Sequence, residues 1–354
     1  MKHFCKILSP KPEDDLLFAC TRQQFDSFHR SSLAQISKRR PIDWGEIYST
    51  AVGHGVAPLV YTNLSKCPEL IAQIPPHVRH CFAECTRKNQ LVQAIFAERA
   101  RDILRFFARH SVQVMLIKGF ALNRTIYREP WYTLTADIDV MISSRWADFP
   151  AADREDAYQL EIGRNPLEQR MGVEYGWFEH HDVSMDGLLP VDFAAIWKEA
   201  RSFELKGQPA LMMSPEHLLL AACINSCRKR FFRLKALCDI SEIILSQRID
   251  WTKFVDTAKE WRSEIIAYTA LQAVTLTLGC TVPSSLSTEL GVHSARRRVI
   301  RFLAERQSFS TLAGLSGTGH FLGRHLGLGL LLPFATYNIR QLWSNVKLIA
   351  KDAP

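Results

Sequence analysis

Several signatures that would settle a function early are missing. The 354-residue chain contains no C-x-x-C pair, no G-x-x-x-x-G-K-[ST] phosphate loop and no G-x-S-x-G elbow. Zinc ribbons, P-loop NTPases and α/β-type serine hydrolases are thereby set aside. Nor is there an apolar run of the roughly 20 residues that a membrane-spanning helix needs. The most apolar tract, Leu326 to Ala335, is shorter and contains Pro333, so it reads as a core segment. Contact with a membrane surface, favoured by Arg324, Arg340 and Lys347 around it, is the weaker alternative. Pro10, Pro12 and the acidic run Glu13-Asp14-Asp15 interrupt the apolar character of the N-terminal stretch, so no signal peptide is expected.

What is present describes a folded chain. Hydrophobic residues make up 47% and charged residues 23%, with a net charge of +8, which is too apolar and too weakly charged for disorder. The nine cysteines are odd in number, and Cys81/Cys85 and Cys223/Cys227 sit in helix-like stretches, so they read as buried thiols of a cytoplasmic protein. Apolar spacings of three and four predict helices over 13–37 and 77–110. An internal repeat appears at an offset of 207: Ile42-Asp43-Trp44, Thr50-Ala51 and Tyr61-Thr62-x-Leu64 return as Ile249-Asp250-Trp251, Thr257-Ala258 and Tyr268-Thr269-x-Leu271. Asp43 and Asp250 are expected to N-cap helices whose first turns bury a Trp.

The middle of the chain follows another grammar. Val112 to Ile117 predicts a strand, Lys118-Gly119 a turn, Phe120 to Tyr127 a helix, and Asp137 to Ile142 a second strand. Trp177 to Met185 and Leu188 to Ala194 predict a hairpin turning at Asp186-Gly187. Ser214-Pro215 opens a return to helices that lasts almost to the end. The expected fold is α+β: an N-terminal helical region (1–99), a small mixed-sheet core (100–213) and a C-terminal helical domain (214–354).

Asp137 and Asp139 share one face of their strand, roughly 5 to 7 Å apart, and two such charges call for a cation. Hard oxygen donors suit Mg²⁺, with Mn²⁺ as a substitute. Asp192, expected on a neighbouring strand, would add a third carboxylate. The Lys118-Gly119 turn before a helix offers amides and an ammonium to an anion such as polyphosphate.

The strings LIKGFALNRTIY and DIDVMI, with Asp192 further on, resemble the DNA polymerase β-like nucleotidyltransferases. More narrowly they resemble the uncharacterised nucleotidyltransferase family with an L-K-G-x-A-L turn followed by D-I-D. The likeness extends from the Asp43-Trp44 helix pair through FFARHSVQVMLIKG to Ser214-Pro215-Glu216, Phe232 to Lys235 and Asp250-Trp251, over about residues 40 to 270. It implies transfer of a nucleoside monophosphate from an NTP to an acceptor hydroxyl with release of pyrophosphate. Asp137, Asp139 and Asp192 would be catalytic metal ligands, with Asp192 assisting deprotonation of the acceptor, and Lys118-Gly119-Phe120 would hold phosphate where the superfamily usually has Gly-Ser. Tyr132, Thr133 and Thr135 stand where many relatives carry an Arg.

Other features are weighed against plainer roles. Arg228-Lys229-Arg230, Arg233 and Lys235 form either a solvated helix face or, for Arg233 and Lys235, a contact to the triphosphate, with Lys235 also able to pair with Asp239. His180 and His181 straddle a strand and read as structural, and His320 and His325 have no partner spacing. Arg296-Arg297-Arg298 and Arg301 lack any accompanying nucleic-acid motif, so the expected partners are an NTP and a small-molecule, saccharide, peptide or protein acceptor rather than nucleic acid. A non-catalytic binding protein on the same fold and an antitoxin-like, protein-modifying enzyme are the competing expectations.

Overall fold

The computed structural model describes residues 12–38, 41–143, 177–180, 188–229, 231 and 233–305. Arg230, His181, the Asp186-Gly187 turn, His320, His325 and the tract from Leu326 to Ala335 lie outside these ranges. Helices come first: α1 (Pro12–Cys20), α2 (Ser27–Ser37), α3 (Trp44–Gly53), α4 (Ala57–Leu64), the single turn α5 (Pro68–Ile71) and the long α6 (Pro76–Arg109). The middle carries β1 (Val114–Leu116), α7 (Lys118–Thr125), β2 (Asp137–Ile142), β3 (Trp177–His180), α8 (Phe193–Lys198), β4 (Arg201–Leu205) and β5 (Gln208–Met212). Helices then return as α9 (Pro215–Arg228), α10 (Leu234–Ser246), α11 (Trp251–Glu260), α12 (Glu264–Leu278), α13 (Leu286–Glu289) and α14 (Ser294–Glu305). The protein is α+β, with a small mixed sheet between helical regions, as its sequence predicts. None of the described helices is long and apolar enough to cross a membrane.

The strand order is β3-β2-β1-β5-β4. β1 runs antiparallel to β2 and parallel to β5, and β3 runs parallel to β2 with Glu179 in register opposite Asp139. Alternation along β2 sends Ile138, Val140 and Ile142 into a core with Phe96, Phe107 and Phe120, while Asp137, Asp139 and Met141 take the other face. Met141 belongs to a larger core that holds Leu16 and Leu59 together with Leu219 and Leu237, so the opening and later helices share one core.

The expected hairpin does not form. Residues 177–180 pair with β2, and Leu188 to Asp192 is irregular chain leading into α8. Val191-Asp192-Phe193 alternates like a strand, but Phe193, Ile196 and Trp197 have helical spacing, and the Asp192 carboxylate caps that helix. The hairpin that does exist joins β4 and β5 through Lys206 and Gly207, both at positive φ (52° and 74°), as a two-residue turn of the primed type demands. Ser214 stands at the N-cap of α9 ahead of Pro215, but its hydroxyl meets His217 Nδ1 at 3.0 Å instead of an amide.

The repeat is structural. Asp43 caps α3 by accepting from Glu46 N–H at 2.9 Å, and Asp250 caps α11 by accepting from Lys253 N–H at 3.2 Å. Trp44 is buried, whereas Trp251 is half-buried. Each capping aspartate also donates its own amide to a buried glutamate: Asp43 to Glu13 at 3.1 Å and Asp250 to Glu216 at 2.9 Å. Those glutamates open α1 and α9, whose strings PEDDLLFAC and PEHLLLAAC match at a slightly different offset. α1 packs on α2, α3 and α4 as α9 packs on α10, α11 and α12.

Candidate active site

β1 ends beside β2, with the Ile117 amide donating to Asp139 O at 3.0 Å, and the chain then turns at Lys118. Lys118 has φ +53°, a left-handed conformation costly for a side-chain-bearing residue and kept only where surroundings impose it. Here its ammonium is held by Asp139 at 2.7 Å, with Asp139 only 3% exposed. A Cβ on the next residue, Gly119, would stand 3.2 Å from Thr135 Oγ1 and 3.4 Å from Lys235 Nζ, so glycine is what lets this turn approach its neighbours.

The loop that delivers Asp137 is pinned from three sides. Asn89 on α6 donates to Trp131 O at 2.8 Å and Thr133 O at 3.1 Å. Asn123 on α7 bonds Thr133 and Thr135 through its amide group. Leu134 N–H donates to Gly55 O, in the turn between α3 and α4, at 2.8 Å. Thr133 and Thr135, which the sequence shows only as lacking an arginine, thus fix the approach to β2.

The carboxylate of half-buried Asp137 makes no hydrogen bond or ion pair with the described residues and opens on a cleft of about 1090 Å³. The end of α9 and the start of α10 line it with Arg228, Lys229, Arg233 and Lys235, and α3 and α6 line it with Tyr48, Cys81 and Cys85. Six cationic and four acidic side chains line the cleft among the described residues. The imbalance shows at Lys229: burial first, then Arg233, Arg228 and Lys118, press its pKa below the usual lysine value, and Asp137 offsets only part of this. Such crowding favours an incoming anion.

Lys235 is placed by distant parts of the chain. Arg233 gives α10 no side-chain cap, so the buried His54 serves instead: Leu234 N–H donates to its Nδ1 and Lys235 N–H to its carbonyl, both at 3.3 Å. Lys235 Nζ donates to Asp239 Oδ2 at 2.7 Å, the i,i+4 pairing its spacing predicts. The Tyr127 hydroxyl donates to Asp239 Oδ1 at 2.8 Å.

Of the residues singled out from the sequence, Lys118, Gly119, Asp137, Asp139, Arg233 and Lys235 line this one cleft. Two do not. Asp192 is exposed and accepts from Ala195 N–H at 3.0 Å, so the expected third carboxylate is a helix cap outside the cleft lining. Phe120 is fully buried, edge-on to Phe96 and under the Arg124 guanidinium, and contributes packing. His54, Asn89 and Tyr127 escaped sequence reasoning because their partners lie far along the chain.

Among the described residues no group of three His, Cys, Asp or Glu side chains is placed to hold a metal ion. Asp137 and Asp139, on one face of β2 with Asp139 held by Lys118, are the carboxylates that could hold a divalent ion, since Mg²⁺ takes one or two carboxylates and completes its shell with phosphates and water.

Residues 40–279 match the family model described as uncharacterised nucleotidyltransferase. The chain belongs to that family. This nucleotidyltransferase-family protein is also similar to an antigenic nucleotidyltransferase-like protein from Paracoccidioides brasiliensis, at 14% identity and a TM-score of 0.36, over 56% of this chain and 95% of that one. No curated protein matches it. The family span includes the cleft residues Asp137, Asp139 and Lys235, while α1, α2, α13 and α14 lie outside it.

Proposed function

We propose that the protein moves a nucleoside monophosphate from an NTP to an acceptor hydroxyl, with release of pyrophosphate and dependence on Mg²⁺. One observation carries this reading: Asp137 and Asp139 share a cleft with the Lys118-Gly119 turn and the cations of α10. The triphosphate lies against the first amides of α7, with Lys118 and Lys235 beside it and Lys229 and Arg233 elsewhere in the cleft lining. Lys118 exchanges Asp139 for a phosphate oxygen, which releases the carboxylate toward Asp137. A divalent ion held by these two carboxylates would neutralise charge at the reacting phosphorus and acidify the acceptor hydroxyl. Ordinary small-molecule pockets span about 300 to 1,000 Å³. At about 1090 Å³ the cleft has room for an NTP and a second reactant.

The test is pyrophosphate release from α-labelled NTPs with Mg²⁺ and a panel of small-molecule, saccharide and peptide acceptors. Asp137→Asn is expected to lower the rate at least about 100-fold, as loss of a key electrostatic group does. The Lys118–Asp139 ion pair favours a second reading, a protein that binds nucleotide without turning it over. Metal-dependent NTP binding with no release on any acceptor would select that reading, and label retained on protein would select a protein acceptor.

A further inference from the structure

The cleft lysine with the most elaborate support is Lys235, and its support reaches beyond the residues of the site. A lysine side chain has four rotors and loses much freedom when fixed, so a cation in a wide cleft is ordinarily poorly placed for a phosphate. Pairing with Asp239 one turn along α10 does not by itself fix it, because the carboxylate can swivel. The Tyr127 hydroxyl removes that freedom by engaging Oδ1 at 2.8 Å, leaving Oδ2 to Lys235 Nζ at 2.7 Å. Tyr127 is buried, and burial with Asp239 beside it holds its phenol well above the usual tyrosine pKa, so it stays a neutral donor.

Tyr127 is itself clamped. Gln23, between α1 and α2, donates from Nε2 to Ile126 O at 3.2 Å and accepts from Arg128 N–H at 2.9 Å, so one side chain grips the backbone on both sides of the tyrosine. The Gln23 amide in turn donates to Glu242 Oε1 at 2.9 Å, on the same helix as Asp239 and Lys235. This closes a loop from α10 through Gln23 and Tyr127 back to α10. At its end the ammonium sits where a Cβ on Gly119 would be 3.4 Å away, against the phosphate turn.

We infer that Tyr127 is a positioning residue for NTP recognition: through Asp239 it holds the Lys235 ammonium against the Gly119 turn, so that the lysine meets the triphosphate already oriented. The inference rests on the nucleotidyl-transfer reading for the identity of the anion, and it assigns a role to two groups, Tyr127 and Gln23, that touch no substrate. Preorganisation of this kind strengthens binding by reducing the ordering needed when the ligand arrives.

The experiment is a double-mutant cycle on the full chain with Mg²⁺, measuring equilibrium binding of an NTP whose α–β linkage cannot be cleaved, of inorganic tripolyphosphate and of the nucleoside monophosphate. Lys235→Ala is expected to weaken NTP and tripolyphosphate about 30-fold, and Tyr127→Phe about fivefold, the scale of a charge-assisted and a neutral hydrogen bond. Monophosphate binding should not change in Tyr127→Phe. In the Lys235→Ala background, Tyr127→Phe should have no further effect on triphosphate binding. Independent, additive losses would overturn the inference by showing that Tyr127 only supports the fold. Should Tyr127→Phe melt too low to assay, Asp239→Asn, of the same shape, takes its place in the cycle. If Lys235→Ala leaves triphosphate binding intact while Asp137→Asn weakens it, this inference fails and the proposed function stands. If neither affects it, both fail.

Discussion

α1–α4 and α9–α12 are two editions of one helical unit, and they differ where the second of them lines the cleft. Both open with Pro-Glu, bury a Leu-Leu pair and a Cys, and use the glutamate to hold the amide of a capping aspartate. They part at the start of their second helix. α2 begins with Asp26, which forms a capping box with His29. At the corresponding place in α10 stands Arg233, with no cap of its own and with Lys235 two residues on, both lining the cleft. The first edition lends its α3–α4 turn, through His54, to cap the second. Scaffold resides in what the two share, and the cations that line the cleft in the turn where they diverge.

The comparison breaks most visibly at the shared core. Leu17→Ala and Leu220→Ala occupy matching sites of nearly complete burial, and each should cost about 2 to 5 kcal/mol in denaturant unfolding. A large cost in one and none in the other would mean that the editions do not share the load. Next in size is the functional divergence. Lys235→Ala should cost roughly 1.5 to 3 kcal/mol of triphosphate affinity by calorimetry, whereas Phe28→Ala, its counterpart on α2 and 51% exposed, should cost none.

The smallest effect concerns pH. Burial raises the Glu242 carboxyl above its ordinary value despite the Gln23 amide, whereas the matching position of α2 is Gln35. A carboxyl with a raised folded pKa binds its proton more tightly when folded. Stability therefore falls as pH rises from the ordinary carboxylate range through the raised value, and the loss persists above it. Glu242→Gln should flatten this slope in denaturant melts at acidic and mildly basic pH, with a change smaller than either effect above.

Local rules made part of this molecule legible. Asp43 and Asp250 were readable as caps because capping is decided within four residues, and β1, the turn and β2 were readable because their periodicity changes abruptly at Lys118-Gly119. Asp192 was misread because three alternating residues satisfy a strand and a helix entrance equally. β4 and β5 are hard to read because Lys206-Gly207 lacks the Asn or Asp that marks a two-residue hairpin and because Arg201, Ser202 and Glu204 are exposed and leave little apolar pattern. What lay beyond reach was long-range: nothing near Leu234 points to His54, and nothing near Tyr127 points to Gln23.

His54 closing the first turn of α10 sets a limit on trimming. A fragment reduced to the sheet and the chain after it would bare two backbone amides beside the cleft and remove Leu16 and Leu59 from the core that also holds Leu219 and Leu237. Anyone paring the protein toward a minimal core should expect the opening helices to be indispensable, even though they supply few of the groups that line the cleft.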